Sequence, residues 1–343
     1  MSRVLSMRGL SVDYLTGTSP VHAVDDVTLD LRRGEILGLA GESGSGKSTL
    51  ANAVARLLRP PAMVTAGEVL YHPADGEPVD VLRMNAKALR RFRWRELSVV
   101  FQSAMNSLNP VATLGAQIDD TLRAHDNTLS TSDRQDRATE LLRRVGISAD
   151  RARSYPHELS GGMRQRAAIA IALALNPEII IMDEPTTALD VVVQRDILAE
   201  ISALRAEYGF AVVFITHDLS LLLSIADRIA VMYAGRMVEV GAARDVHDAP
   251  SHPYTYGLLH SFPRLRGPRE ELLGIPGTPP DLRDLPPGCP FHPRCRFAVD
   301  ACAERTPSIQ EVHSGQFAAC LAHDAGAYHG PVPVELSGEG SGR

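Results

Sequence analysis

Short apolar runs alternate with longer stretches of helical periodicity over roughly the first 250 residues, a pattern typical of an α/β domain. Strands are predicted at 35–40, 98–101, 178–182 and 211–216. Two later runs, 228–233 and 236–240, flank Ala234-Gly235 and predict a hairpin. The stretch from about 105 to 165 has helical periodicity, so we expect a helical subdomain there.

The composition changes near residue 250, after which prolines crowd the chain. Such density interrupts regular helices and marks a boundary or an irregular appended domain. From Gly330 onward the sequence is rich in glycine, serine and proline, which is typical of a mobile tail. We therefore predict an α/β domain over 1–250, a second domain over 251–325 and a flexible tail over 326–343.

The chain carries 35 Lys and Arg residues against 41 Asp and Glu residues, a formal net charge of −6. A protein whose main partner is nucleic acid is usually basic, so this balance argues against that class. No apolar stretch approaches the ~20 residues that a membrane helix needs, and the N-terminus has no secretory signal pattern. These features together predict a cytosolic protein.

A phosphate-binding loop is indicated between the strand at 35–40 and an apolar-patterned helix, where the sequence fits G-x-x-x-x-G-K-[ST]. Its glycines let backbone N–H groups turn toward phosphate oxygens, Lys47 would reach the β and γ phosphates, and Ser48 would ligate Mg²⁺. A dinucleotide fingerprint fits less well, because Thr49 stands where that pattern needs a glycine. The predicted nucleotide-contacting residues are Gly41, Glu42, Ser43, Gly44, Ser45, Gly46, Lys47, Ser48 and Thr49.

Two acidic residues, Asp183 and Glu184, follow a second continuous apolar run. Such a run predicts a fully buried strand, and ligand sites of parallel sheets lie at the carboxyl ends of strands. Asp183 would hold Mg²⁺, and Glu184 would polarise the water that attacks the terminal phosphate.

A second anion site is indicated where Leu159-Ser160-Gly161-Gly162-Met163 precedes a predicted helix over 164–175. Ser160 is a favourable N-cap residue, and the two glycines leave backbone amides bare at the positive end of the helix. One nucleotide does not need two cradles in the same chain. Two copies packed head to tail would use both, each cradle closing on the ATP of the other copy.

This series of motifs resembles ABC-type ATPases, in which LSGGQ is the commonest form of the LSGGM segment found here. The resemblance implies ATP and Mg²⁺ as ligands and a RecA-like core with antiparallel β and helical subdomains. It implies that Gln102 senses Mg²⁺ and the water, that Asp190 crosses the dimer interface and that His217 contacts the γ-phosphate. It also implies that Tyr14 stacks on adenine, although an aromatic residue in an early strand is more often part of the core.

Further stretches are similar to the oligopeptide and dipeptide importers of that family, namely 102–110, 251–263, 275–282 and 288–295. The resemblance implies an ATP-hydrolysing peripheral subunit at the cytoplasmic face of the cell membrane, which powers the uptake of peptides or a related small solute. The implied partners are a second ATPase subunit, two transmembrane permease subunits and an extracytoplasmic solute-binding protein, with no nucleic acid among them. The second ATPase is either a copy of this chain or a related one.

Two questions stay open at this point. A non-transport ABC ATPase of DNA repair or translation is the alternative function, but it would need a coiled-coil or zinc-finger insertion or two tandem cassettes. The sequence has one cassette and neither insertion. Met105, Leu108 and Leu114 are candidates for a groove that receives a permease helix, or else they pack the core of the helical subdomain.

The four cysteines, Cys289, Cys295, Cys302 and Cys320, all lie in the proline-rich second domain. Disulfides are disfavoured in a reducing cytosol, so four thiols in an irregular segment indicate a metal staple. Their spacing fits neither short zinc knuckles nor ferredoxin runs, which leaves zinc, an iron–sulfur cluster and free thiols open. The resemblance to peptide importers favours a [4Fe–4S] cluster over zinc, with His292 and His313 as reserve ligands. We expect replacement of any one cysteine to loosen residues 285–323 and to leave ATP binding at Lys47 largely intact.

Overall fold

The computed structural model describes residues 2–17, 19–101, 108–187, 189–261 and 274–324. Within these ranges the strands are β1 (Arg3–Tyr14), β2 (Val21–Arg32), β3 (Ile36–Ala40), β4 (Ala62–Tyr71), β5 (Val79–Asp80), β6 (Leu97–Val100), β7 (Ile179–Asp183), β8 (Ala211–Ile215), β9 (Arg228–Tyr233), β10 (Arg236–Ala242), β11 (Gln310–His313) and β12 (Gln316–Ala318). The helices are α1 (Lys47–Val54), α2 (Ala86–Arg95), α3 (Leu114–His125), α4 (Thr131–Arg144), α5 (Gly161–Ala172), α6 (Val191–Tyr208), α7 (Leu219–Ile225), α8 (Ala243–Asp248), α9 (Pro253–His260) and α10 (Asp300–Glu304). None of the helices in these ranges has the length and apolar character needed to span a bilayer.

The described residues form two compact units, and each is described by itself. Unit 1 lies within Met1–Ser6, Asp30–Ile36 and Leu70–Ile215. Unit 2 lies within Met7–Leu29, Leu37–Val69 and Thr216–Arg343. The domain boundary predicted near residue 250 falls inside unit 2, and it stays a prediction.

Unit 1 is built on three parallel strands in which β7 pairs with β6 on one side and with β8 on the other. Every residue of β7 is buried. A strand covered on both faces needs apolar residues throughout, which is why this segment reads as a continuous run and not as an alternation. The register pairs Asp183 with Ile215, so the acidic end of β7 lies level with the end of β8.

Helices lie in the described part of the range 105–165, where a helical subdomain is predicted. Helices α3 and α4 each bury one apolar face, through Ile118 and Leu122 in α3 and Leu141 and Leu142 in α4. Helix α4 begins with a reciprocal capping box, because the side chain of Ser130 accepts from the backbone of the third helical residue, whose carboxylate accepts in return. The helices could be located from the sequence because each buries apolar residues at helical spacing, and the capping box marks where α4 begins.

Unit 2 contains β3, which pairs in parallel with β9, and the predicted β9–β10 hairpin, which pairs antiparallel. Ala234 and Gly235 form its turn, both with positive φ. The sequence predicted an irregular segment after residue 250, but β12 pairs with β10 and β11 pairs with β12. The C-terminal part of the described chain therefore extends the sheet that carries β3.

An aromatic cluster joins α9 to the C-terminal segment within unit 2. The ring centroids of Tyr233 and Tyr254 lie 4.6 Å apart, and Phe291 lies 5.2 Å from the first and 5.3 Å from the second. The Tyr254 side chain is fully buried. Rings at these separations contribute packing energy beyond their buried area, so the cluster fixes the start of α9 in place.

The residue that begins α9 is a buried histidine. His252 is the N-cap, and its Nδ1 accepts a hydrogen bond from the Tyr254 backbone N–H at 3.0 Å. An acceptor nitrogen carries no proton, so the ring is neutral when it caps the helix. Burial, together with the nearby His323, lowers the pKa of His252 from 6.5 to about 3.

Acid should therefore destabilise the protein through His252. Its folded pKa lies below the unfolded value of 6.5, so its contribution is complete above pH 6.5 and is lost as the pH falls toward 3. At about pH 5 the expected loss is about 2 kcal/mol. His252→Asn keeps a good cap without a titratable ring. Denaturant unfolding at about pH 7 and about pH 5 should show the wild type losing stability relative to this variant, and a constant difference between them would contradict the assignment.

Candidate nucleotide-binding site

The loop between β3 and α1 adopts a conformation that requires glycine at two positions. Gly41 has φ of +148°, and a Cβ built there would lie 2.2 Å from the backbone oxygen of Met232. Gly46 has φ of +101°, and its Cβ would lie 2.1 Å from the backbone oxygen of Ala23. Real Cβ atoms do not approach a backbone oxygen so closely, so the strands beside the loop accept only glycine there.

The lysine of the motif lies over this loop. Lys47 is only 5% exposed, and its Nζ donates to the backbone oxygens of Gly41 at 2.7 Å and Glu42 at 2.8 Å and to Ser45 Oγ at 3.2 Å. Because Lys47 is the first residue of α1, its ammonium lies at the positive end of that helix. Loop and helix together form a cationic cradle suited to phosphate.

The remaining predicted contacts in unit 2 lie along the loop and the first turn of α1. Ser43, Gly44 and Ser48 are exposed. The hydroxyls of Tyr14 and Thr49 lie 3.1 Å apart, which joins the end of β1 to the first turn of α1. Tyr14 is half-buried, and its hydroxyl contacts a predicted phosphate-loop residue.

The two carboxylates predicted to act in hydrolysis lie at the end of β7 in unit 1. Asp183 is the last residue of β7 and is 8% exposed. Glu184 has φ of +45°, a left-handed conformation that costs a residue with a side chain about 1–2 kcal/mol. Its backbone N–H donates to Ile215 O at 2.9 Å, and its Oε2 accepts from Thr187 Oγ1 at 2.8 Å. The strained backbone and the hydroxyl together fix the direction of the Glu184 carboxylate.

The second predicted anion site also lies in unit 1. Ser160 is exposed and caps α5, where its Oγ accepts from the Met163 backbone N–H at 3.3 Å. A Cβ at Gly162 would lie 2.7 Å from Cγ1 of Val193, so α6 packs closely against this helix start. Asp190 caps α6 by accepting from the backbone N–H groups of Val192 and Val193. Gly161 is the first residue of α5.

The remaining predicted site residues are His217, which the structure describes, and Gln102, which it does not. His217 is exposed in unit 2, two residues after the end of β8. It directly follows Thr216, whose backbone N–H donates to Leu39 O at 3.2 Å. Gln102 and Met105 lie outside the described residues, as does Ala188 of the predicted dimer segment.

Leu108, one of the three residues predicted for a permease groove, lines a cavity of about 620 Å³ in unit 1. Trp94, Val100 and Phe101 line it as well, and Phe101 is 42% exposed. Leu114 is fully buried as the first residue of α3, so it packs the helical core and is not available to a partner. Phe101 was missed from the sequence because it reads there as the end of a buried strand.

The four cysteines all line one small cavity of unit 2, whose walls include His292 and Phe297. Burial raises the pKa of Cys289 to about 11 and that of Cys295 and Cys320 to about 12. Among the described residues, no three His, Cys, Asp or Glu side chains are arranged to hold a metal ion. His313, the other reserve ligand, does not line this cavity and lies beside His323.

One contact of the phosphate loop was not predicted at all. The Glu42 carboxylate forms a two-pronged ion pair with Arg294, whose Nη1 donates to Oε2 at 2.6 Å and whose Nη2 donates to Oε1 at 3.0 Å. Arg294 lies in the 3-10 turn His292–Arg294, just before Cys295. The two residues are 252 positions apart, so no local pattern could have paired them.

Two family models match this chain, one in its N-terminal part and one in its C-terminal part. A family model described as ABC transporter matches residues 24–187, and one described as oligopeptide/dipeptide transporter, C-terminal region, matches residues 238–302. The oligopeptide transport ATP-binding protein OppD of Escherichia coli is 42% identical over 320 residues, covering 93% of this chain and 93% of that protein. The dipeptide transport ATP-binding protein DppD of Bacillus subtilis is 41% identical over 332 residues, covering 96% and 97%.

A solved structure extends the likeness to the fold. The ATP-binding cassette MJ0796, in a dimeric post-hydrolysis state bound to ADP and Pi, superposes with a TM-score of 0.61 at 30% identity. The match covers 70% of this chain and 99% of that one. The expected cassette architecture is thereby confirmed.

The loop geometry predicts that Gly46→Ala is far more damaging than Gly44→Ala. Both residues have positive φ, +101° and +80°, so both substitutions carry the left-handed cost of about 1–2 kcal/mol. At Gly46 the new Cβ would lie 2.1 Å from the backbone oxygen of Ala23, whereas a Cβ at Gly44 would have no atom within 4 Å. We expect Gly46→Ala to abolish ATP binding and Gly44→Ala to weaken it, as measured by calorimetry beside the melting temperature. Equal effects of the two substitutions would contradict this loop conformation.

Proposed function

The chain belongs to the ATP-binding proteins of peptide-import ABC transporters, and on this premise we propose that it hydrolyses ATP to power peptide uptake through separate permease chains. The observation that carries the proposal is the match to peptide-transport relatives over more than nine tenths of the chain. The match at residues 238–302 adds the part typical of oligopeptide and dipeptide transporters. A role in DNA repair or translation is not favoured, because these relatives are named for transport.

The proposed setting is the cytoplasmic face of the cell membrane, where the chain is a peripheral subunit. Its partners are a second ATPase subunit, which is a copy or a relative of this chain, and two transmembrane permeases. An extracytoplasmic solute-binding protein delivers the solute to them. Peptides are the proposed cargo, and a related small solute is the alternative.

ATP binding falls to the residues of unit 2. The backbone N–H groups of the loop from Gly41 to Gly46 and the Lys47 ammonium bind the phosphates, and the close contacts of the loop with neighbouring backbone oxygens hold its shape. Tyr14 stacks on the adenine, with its hydroxyl anchored on Thr49. His217 contacts the γ-phosphate.

Hydrolysis needs a base and a divalent cation. The hydroxyl of Ser48 and the carboxylate of Asp183 are oxygen donors, which suit Mg²⁺, and Gln102 is the third residue proposed to contact it. When bound, Mg²⁺ neutralises the charge that develops on the phosphate oxygens. Glu184 orients the attacking water and accepts its proton, and the Thr187 hydroxyl holds its carboxylate in one direction.

The second ATPase subunit completes the reaction. Ser160, Gly161 and Gly162 offer backbone amides and a hydroxyl at the start of α5, where a γ-phosphate held by the partner subunit can be bound. Asp190 is followed by Val191 and Val192, which are 78% and 70% exposed. Two neighbouring apolar side chains with so much exposure are suited to an interface, which supports a dimer that closes at this segment.

The cavity lined by Phe101 and Leu108 is the proposed docking site for a permease helix. It lies where β6 ends, immediately before Gln102 in the sequence. Met105 follows in the same segment of the chain.

The function is tested by isolating the transporter from membranes and measuring ATP hydrolysis with and without peptide. We expect permease chains to co-purify and peptide to stimulate hydrolysis in the presence of the solute-binding protein. The Glu184→Gln variant should bind ATP and lose hydrolysis by about 10²–10⁴-fold, because a positioned base contributes that much. Nucleic acid in place of permeases would contradict the transport role, and near-normal hydrolysis by Glu184→Gln would contradict its role as base.

A [4Fe–4S] cluster is the proposed occupant of the cysteine cavity, in a structural or regulatory role. Its support is that all four thiols line one cavity among the described residues. Four thiolates are a ligand set that such clusters use, and zinc is the alternative occupant.

Protein purified without oxygen should be brown and contain about four irons per chain. Cys302→Ser should lose the colour and most of the iron, because it removes one of the four ligands. Ser308→Ala, a change in the same segment that removes no thiol, serves as the control and should keep both. A colourless wild type with one zinc per chain would contradict the cluster.

A further inference from the structure

Glu42, the second residue of the phosphate loop, is held from three directions. Its carboxylate pairs with the Arg294 guanidinium at 2.6 and 3.0 Å. Its backbone N–H donates to the Tyr254 hydroxyl at 2.8 Å, and its backbone oxygen accepts from Lys47 Nζ at 2.8 Å. One residue thus joins the phosphate-binding lysine to two side chains that come from the C-terminal part of the chain.

Breaking the contact with Glu42 would leave the Arg294 guanidinium buried without a countercharge. Its side chain is only 6% exposed, and its Nε donates to Pro276 O at 2.8 Å. The Tyr233 ring lies beside it, with 5.8 Å between Cζ and the ring centroid. A buried guanidinium needs a countercharge, and the carboxylate that it contacts belongs to Glu42. Any shift of the Arg294 backbone is therefore transmitted to the loop or leaves a charge unpaired.

The turn that carries Arg294 is closed at both ends by cysteines. The backbone N–H of His292 donates to Cys289 O at 3.0 Å, and that of Cys295 donates to His292 O at 3.2 Å. Cys295 directly follows Arg294, and both cysteines line the four-thiol cavity. The cavity and the phosphate loop are thus separated by a single short turn.

We propose that Arg294 is a positioning residue for the phosphate loop, and that its pair with Glu42 makes ATP affinity depend on the integrity of the four-cysteine cavity. The proposal rests on the proposed function, since it treats the loop as an ATP site. It also changes the expectation that cysteine replacement leaves ATP binding at Lys47 largely intact. The contacts instead provide a direct path from Cys295 to Glu42.

A purely structural role for Arg294 would have different consequences. An arginine that only fastens the C-terminal segment would lower the melting temperature without changing the affinity of the folded protein for ATP. A positioning residue changes affinity, because Glu42 and the oxygen that it offers to Lys47 move with the pair. Lysine in place of Arg294 keeps the charge but loses the two-pronged geometry, so it should restore only part of the affinity.

The first experiment measures the Kd for ATP with Mg²⁺ by calorimetry on the full-length chain, beside the melting temperature without nucleotide. Arg294→Gln and Glu42→Gln should each raise the Kd about tenfold, and the double variant should be no weaker than either one. Arg294→Lys should fall between them and the wild type. Arg305→Gln is the matched control, since Arg305 pairs with Asp324 in the same segment but is exposed, and its Kd should stay unchanged.

The second experiment adds the cysteine. Cys295→Ser should raise the Kd for ATP in the wild-type background and have little further effect in Arg294→Gln, because both act through one contact. Independent, multiplying effects would overturn the coupling, and an unchanged Kd in Arg294→Gln would overturn the positioning role. Because ATP binding is measured on the isolated chain, these outcomes are distinct from failure of the transport function, which would appear as absent peptide-stimulated hydrolysis.

Discussion

The close approach of two backbone oxygens to the phosphate loop is the constraint on which the rest of the site depends. Met232 on β9 and Ala23 on β2 present carbonyls where side chains at Gly41 and Gly46 would stand. These contacts leave no room for a side chain at either position and hold the loop against β2 and β9. A cradle whose donors are already oriented loses little conformational entropy when phosphate binds, which is how an apolar scaffold can serve a highly charged ligand.

The fixed position of the loop also gives the ion pair of Glu42 with Arg294 a structural role. Removing the Arg294 guanidinium from water has a cost that its ion pair with the partly exposed Glu42 can fail to recover, so the contact is weak evidence for a gain in stability. Its value is geometric, because a two-pronged pair tolerates few relative positions of its partners. A loop fixed by β2 and β9 gives Arg294 a rigid target, and the turn before Cys295 is in this way set relative to the nucleotide-binding backbone.

The predicted residues that the structure places as expected belong to short motifs of consecutive residues. The glycine loop with Lys47, the buried strand ending at Asp183, and the cap at Ser160 each depend on local backbone geometry, and periodicity locates them. The ion pair of Glu42 with Arg294 depends on tertiary packing across most of the chain. Glu42 is predicted only as a nucleotide-contacting residue of the loop, and no local pattern pairs it with Arg294. The short strand β11 was missed for a related reason, since its residues are mostly exposed and only pairing with β12 identifies it.

Polar contacts act together with the aromatic cluster of Tyr233, Tyr254 and Phe291 to hold the C-terminal segment in unit 2. The fully buried Glu239 on β10 accepts hydrogen bonds from the backbone N–H groups of Ser251 and His252 and from Gln316 Nε2 on β12. Apolar surfaces tolerate sliding, whereas a buried carboxylate with several donors loses much of its stabilisation when any one of them moves. Glu239 therefore ties the start of α9 and the strand β12 to one strand of the sheet. Tyr254 is the second residue of α9, so the hydrogen bonds of Glu239 at Ser251 and His252 hold the start of the helix that carries it. The position of the Tyr254 hydroxyl, which accepts from the Glu42 backbone N–H, therefore depends on this buried carboxylate.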